Sequence, residues 1–469
     1  MVELPNIMSP EERHGLRQPL DNLLNETKIN QEKELLIDKI KSKQSKIGII
    51  GMGYVGLPEA MYYAEAGFRV TGFDVAKNRV SKLNRGESYI GDVADERLLP
   101  LGQSGHFRAT ADMSLLAAQD VILVCVPTPI NRTQDPDLSY IKSATASIAE
   151  YLQRNQLIVL ESSTYPGTTE EIMLPAFEAK GLVVGRDFYL AFSPERIDPG
   201  TTSSQGYHFG NMPKVIGGVT PECLAIACAL YQQVVEQVVP VSSPRVAEMT
   251  KLFENIFRAV NIALVNEMAL LCDRMGLNSW EVLEAANTKP FGIMKFTPGP
   301  GLGGHCIPVD PFYLTWKARE YGFHTRFIEL AGEINQQMPY HVRELTNRAL
   351  SEDGKGLKGA KLLVLGLAYK KDVADYRESP ALKIIPLLER DGAQVSYNDP
   401  YIGEIDENGL KMQSVELTAA LLQATDAVII TTDHSNYDYE WIVANAKKVV
   451  DTRNATGKLT QNKQKVILL

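Results

Sequence analysis

Between Lys46 and about residue 240, short apolar runs alternate with helical stretches. KIGII, three glycines and an amphipathic segment, then RVTGF ending before Asp74, predict strand, turn, helix and strand. DVILV and LIVL are unbroken apolar runs closed by polar turns, as in parallel strands buried on both faces. At Pro244 the period changes. From there to Met275 the pattern is helical throughout, far longer than an average helix, and it stops at Gly276. Helical segments continue to about Gln337, interrupted by GLGGHCIPVDP (301–311), which glycine and proline mark as a shaped loop. A second strand-to-turn pattern opens at Gly359 in GAKLLVLGLAYK, and DAVIITTDHS repeats the form of DVILVCVPTP.

This order predicts an α/β chain: two Rossmann-like domains joined by a helical middle domain with one long central helix. The expected segments are a polar, partly helical extension (1–45), a dinucleotide-type domain (46–240), the helical middle (241–338) and a second Rossmann-like domain (339–469). The apolar residues of the long helix run nearly all round it, with Glu254, Arg258 and Glu267 as its few charges from Phe253 to Cys272. Such a helix is expected to form a homodimer interface.

Composition narrows the function. At 469 residues the chain exceeds one ordinary core, and 44% hydrophobic with 22% charged residues is globular usage. No apolar run is expected to span a bilayer, and the polar N-terminus has no signal-peptide form, so no membrane partner is expected. A net charge of −9 argues against a nucleic-acid partner. The five cysteines lack paired-ligand spacing, so no metal is expected, and thiols in a chain without a secretion signal point to the cytoplasm.

GMGYVG matches the dinucleotide fingerprint, follows a predicted strand, opens a helix and has Asp74 at the end of the next strand. Gly51, Gly53, Tyr54, Val55, Gly56, Asp74 and Arg79 are therefore cofactor-binding candidates. A carboxylate at position 74 accepts from ribose hydroxyls and repels a 2′-phosphate, favouring NAD over NADP. On the long helix Lys251, Asn255 and Arg258 share one face at i, i+4 and i+7. That stripe is either solvated or, given its apolar flanks, buried against an anion. Glu161 in LESSTYPGTT stands at a strand end, either on the ligand side or as a cap, and Glu195 and Arg196 in SPER share the ambiguity. Lys370 and Arg377 are two cations at the start of the second Rossmann-like pattern and suit a phosphorylated ligand. Cys306 follows His305 directly, but neighbours on an extended loop point apart, so a Cys–His dyad is not expected.

The order of glycine fingerprint, PTP, SSTYPGTT, SPER, the Lys–Asn–Arg helix, the glycine-cysteine loop and YKKD…YRESPA resembles the nucleotide-sugar 6-dehydrogenases over about residues 46–455. The resemblance implies oxidation of a sugar C6 alcohol to a carboxylate with two NAD, on a UDP-sugar substrate. It implies that Cys306 is the nucleophile, holding a thiohemiacetal and then a thioester. Lys251 would stabilise an oxyanion, Asn255 and Asp310 would position water, and Glu161 would be the base for thioester hydrolysis. Thr128, Thr164 and Arg377 resemble NAD contacts, and Lys370 resembles a sugar-nucleotide contact. Glu195, Arg196, Arg258 and Gly303, with Lys251 and Asn255, complete the substrate-binding candidates. Val309 departs from the lysine that UDP-glucose enzymes carry three residues after the cysteine. With KPFGIMKFTPGPG and DPFYLTWKA, it resembles the branch acting on UDP-N-acetylhexosamines, UDP-N-acetylglucosamine above all, in surface polysaccharide biosynthesis.

Overall fold

The computed structural model describes residues 31–131, 135–197, 206–304, 307–407 and 409–469. The chain divides into two compact units, Met1–Thr128 with Asp137–Lys251, and Pro129–Pro136 with Leu252–Leu469. The division falls inside the long helix, and the short 129–136 segment belongs with the second unit.

The first unit is built on an eight-stranded sheet: β1 (Lys46–Ile50), β2 (Arg69–Phe73), β3 (Phe107–Thr110), β4 (Val121–Val124), β5 (Leu157–Leu160), β6 (Tyr189–Phe192), β7 (Lys214–Gly218) and β8 (Val238–Val241). The order is β3-β2-β1-β4-β5-β6-β7-β8. The first six strands are parallel; β7 pairs antiparallel to β6, and β8 follows β7 in parallel. Because β1 sits between β2 and β4, the strand order reverses there, which opens a crevice at the carboxyl ends. β4, β5 and β6 are buried along their whole length, so uninterrupted VILV, LIVL and YLAF face no water. Residues 31–41 of the extension form a helix whose Leu36 and Ile40 enter this core, while Lys39 Nζ meets Asp120 Oδ1 at 3.1 Å. The first 30 residues lie outside the described ones.

In the second unit, a parallel sheet of order β10-β9-β13-β14-β15 is formed by β9 (Lys361–Leu365), β10 (Gln394–Asn398), β13 (Ala427–Ile430), β14 (Val449–Asp451) and β15 (Val466–Leu468). β11 (Glu404–Glu407) and β12 (Leu410–Gln413) make a separate antiparallel hairpin. The helix Arg326–Ser351 runs unbroken past Gln337, where the helical pattern was expected to end. Its apolar stripe explains this: Met338, Val342, Leu345 and Ala349 repeat at helical spacing and share a core with Leu362 and Val364 of β9.

The long helix, Pro244–Met275, buries Leu252, Ile256, Ala259, Ala263 and Cys272 on one side. Its other side exposes Met249, Phe253, Phe257, Leu264, Met268, Leu271 and Met275. Contrary to the expectation that no run is long enough, this helix has the length and composition of a membrane span. It also carries Glu248, Lys251, Asn255 and Asn266 buried inside the fold, which marks its inner side as protein-facing.

Candidate active site

The glycine turn follows β1 and opens the helix Gly56–Glu65. Gly51 has φ +96°, and a Cβ there would stand 2.4 Å from the Cys125 carbonyl oxygen, so no other residue fits. Around Gly53 nothing lies within 4 Å of where a Cβ would be, which leaves the backbone open to a pyrophosphate. Asp74 ends β2 and is buried; its Oδ2 accepts from Met52 N at 3.2 Å and its Oδ1 from Ala76 N at 2.8 Å. Arg79 Nη1 lies 3.7 Å from that Oδ2. The carboxylate is thereby locked at the end of β2, beside the turn, with lone pairs to spare for a ribose. These features fit NAD.

Glu161, immediately after β5, is buried and faces into the unit rather than capping its turn. Lys214 Nζ of β7 binds its Oε2 at 2.8 Å and also reaches Glu195 Oε2 at 3.2 Å. The Tyr231 hydroxyl donates to the other oxygen of Glu161. Burial pushes the Lys214 ammonium toward its neutral form, but Glu161 and then Glu195 outweigh this and hold it charged. Glu195 Oε1 accepts from the backbone of Arg196 and Ile197 at 2.7 and 2.6 Å, and Arg196 Nη1 donates to Pro213 O. Glu161 and Glu195, separate candidates in the sequence, are thus joined by one lysine. Thr128 and Thr164 are buried, with Thr164 Oγ1 2.6 Å from Thr168 Oγ1. The YPGTT turn is pinned by Glu248, which accepts from Gly167 N and from Thr169 N and Oγ1.

The Lys251–Asn255–Arg258 stripe turns inward. Lys251 and Asn255 are buried and Arg258 half-buried, so the solvated alternative does not hold. Lys251 makes no hydrogen bond or ion pair among the described residues, so its ammonium is left for an anion. In the second unit Asn255 Nδ2 donates to Asp310 Oδ2 at 2.6 Å. Asp310 is the first residue of the helix Asp310–Ala318, at the exit of the cysteine loop. Cys306 and His305 lie outside the described residues, but both arms of their loop are placed. Gly299 N donates to Asn266 Oδ1 at 3.0 Å, and Gly304 N to Arg377 O at 3.1 Å. A Cβ on Gly303 would stand 2.5 Å from Tyr369 Cβ, so this glycine serves backbone packing on Tyr369.

Residues 45–235, 245–337 and 363–458 match the NAD binding, central and UDP binding domains of the UDP-glucose/GDP-mannose dehydrogenase family. The chain belongs to this family. It is 36% identical to the UDP-N-acetyl-D-mannosamine dehydrogenase of Pyrococcus horikoshii over 394 residues, 84% of this chain and 90% of that one. It is 34% identical to the UDP-N-acetyl-D-glucosamine 6-dehydrogenase of Pseudomonas aeruginosa over 400 residues, 84% and 92% of the two chains. The solved UDP-D-ManNAc dehydrogenase of P. horikoshii superposes with a TM-score of 0.81 at 34% identity, covering 90% of this chain and 98% of that one.

The protein is therefore an NAD-dependent UDP-sugar dehydrogenase. In its UDP binding domain Lys370 and Arg377 sit in the turn after β9. Arg377 forks onto Asp375, with Nη2 to Oδ2 at 2.6 Å and Nε to Oδ1 at 2.9 Å, which fixes the guanidinium plane. Sequence reading missed Lys214 and Tyr231 of the dehydrogenase, which hold Glu161. A lysine in PKVIGG, at the head of an apolar strand, was the one available signal.

Proposed function

We propose that this dehydrogenase oxidises the C6 alcohol of a UDP-N-acetylhexosamine to the carboxylate in two hydride transfers, with UDP-N-acetylglucosamine as preferred substrate, for surface polysaccharide synthesis in the cytoplasm. The observation that carries the reading is the buried Asn255–Asp310 pair at the exit of the Cys306 loop, with Asn255 on the same helix as buried Lys251, which has no partner among the described residues. Bound NAD supplies the hydride acceptor. Lys251 holds negative charge developing at the C6 oxygen, and Asn255 with Asp310 orients water. Cys306 retains the aldehyde as a thiohemiacetal, so a four-electron oxidation proceeds without releasing it. Glu161 takes the proton of the hydrolytic water.

Val309 supports the N-acetyl class. It is buried and lines a cavity of about 180 Å³ with Ile256, Val260, Leu302 and Phe312, so position 309 adds apolar surface there and no charge. The P. horikoshii relative favours a second reading, UDP-N-acetylmannosamine. Initial rates of NADH formation with UDP-N-acetylglucosamine, UDP-N-acetylmannosamine and UDP-glucose decide. The highest kcat/KM is expected for the first, with two NADH per sugar. A tenfold advantage for either other sugar, about 1.4 kcal/mol, overturns the preference.

The exposed apolar stripe of the long helix, from Met249 to Met275, supports a homodimer through that helix.

A further inference from the structure

Glu59 stands on the first turn of the glycine-turn helix and points into the core, 1% exposed. Its neighbours come from every element packed there: Cys125 after β4, Glu161 after β5, Glu195 after β6, Lys214 on β7, Tyr63 one turn on and Tyr231 on the helix Pro221–Tyr231. Cys125 Sγ, a weak donor, lies 3.6 Å from Glu59 Oε2. Glu59 Oε1 meets no donor among the described residues. One donor atom each from Glu59, Cys125 and Glu161 lie within 4.8 Å of one another.

We propose that Glu59 is a positioning residue for Glu161: a carboxylic acid kept neutral in the core, whose proton is shared with the Glu161 carboxylate. Three carboxyls face one ammonium here, Glu59 and Glu161 fully buried and Glu195 half-buried. With Glu59 ionised the cluster carries a net −2; with it protonated, −1. Removing two unpaired carboxylates from water costs far more than removing one. The proton also gives the orphaned oxygen a role, because an acid beside a carboxylate donates where two carboxylates repel. Glu161 is then held from three sides, by the Lys214 ammonium, the Tyr231 hydroxyl and the Glu59 acid. Burial first, and the Glu161 charge second, raise the Glu59 carboxyl well above its ordinary range; burial and Glu59 do the same to the Cys125 thiol. A metal ion is not what the cluster is built for, since the Lys214 ammonium already stands against Glu161 as its cation.

The kinetic part rests on Glu161 acting as the base; the protonation state does not. Glu59→Gln, whose amide donates without ionising, and Glu59→Leu, which donates nothing, separate the two. The protonated-carboxyl infrared band of the full chain near pH 7 is expected to lose its Glu59 component in both variants, leaving that of Glu248. The fall in melting temperature between pH 5 and 9 is expected to be shallower in Glu59→Gln than in the parent. NADH formation from a UDP-sugar should drop about tenfold or more in Glu59→Leu through misplacement of Glu161, and be largely rescued in Glu59→Gln. An unchanged infrared band and pH slope in Glu59→Gln would overturn the proposal, as would stoichiometric zinc in the purified chain that is lost with Glu59. Should Glu59→Leu fail to fold, Glu59→Gln alone decides through the band and the slope. If Glu161→Gln leaves turnover intact while the band behaves as expected, the base assignment fails and the shared proton stands.

Discussion

Asn255 and Asp310, 55 residues apart, meet in a buried hydrogen bond of 2.6 Å from Nδ2 to Oδ2. One sits mid-way along the long helix and the other opens the helix after the cysteine loop, so the bond ties the loop's exit to that helix. Asn255→Ala leaves the carboxylate without that donor. A loss of about 1.5–3 kcal/mol in denaturant unfolding is expected. With it should come a fall in kcat of about a hundredfold, as the loop and the oriented water lose their alignment. Full activity in a destabilised Asn255→Ala would confine the pair to a structural role.

Asp74→Ala removes the acceptor beside the glycine turn together with the charge that repels a 2′-phosphate. NAD affinity should fall about tenfold and the NAD/NADP preference should shrink, read by fluorescence titration of both cofactors. Asp74→Asn removes the charge but keeps one oxygen, an acceptor for only one of the Met52 and Ala76 N–H groups, so the NAD/NADP ratio in this variant reads the charge.

Glu248 carries a pH dependence of defined sign. Burial raises its carboxyl to about 7, despite the Gly167 and Thr169 donors that favour the ionised form. The folded chain therefore binds this proton more tightly than the unfolded chain. Its contribution is fully present below about 4.5 and is lost as pH rises toward 7, by roughly 3 kcal/mol. Glu248→Gln should flatten that segment of the stability profile, measured as unfolding midpoints from pH 4 to 8; an unchanged slope would place the titration elsewhere.

Phe253, 65% exposed, is the most exposed residue of the apolar stripe, so Phe253→Glu should split the proposed dimer. Light scattering at micromolar protein is expected to show twice the chain mass for the parent and a shift toward one chain mass for the variant. A monomeric parent would sink the interface.

Cys306→Ser should leave the fold and NAD binding unchanged and abolish net acid formation, because an alcohol is a weak nucleophile near neutral pH. Circular dichroism, NAD titration and product chromatography test the three parts; near-normal uronic acid output rules out the covalent route.

The glycine turn, the strand-end carboxylates and the long helix were all legible in the sequence, because each is a local pattern: φ at Gly51, unbroken apolar runs in β4 and β5, helical period through Met275. The same local reading ended the helical pattern near Gln337, where the stripe Met338–Val342–Leu345–Ala349 carries the helix onward. Nor did it show that the Gly303 backbone packs against Tyr369.

What the sequence by itself determined was the order of elements, the NAD turn and the set of polar residues set at strand ends and along one helix face. Those follow from backbone sterics and side-chain period, which act over a few residues. Only the tertiary structure decided which of them meet. Lys214 joins Glu161 to Glu195 because β7 turns antiparallel beside β6, and Glu59 comes under Glu161 because its helix crosses the strand ends. Charge pairing in a core depends on which side chains share the same few ångströms without water, and chain packing sets that distance.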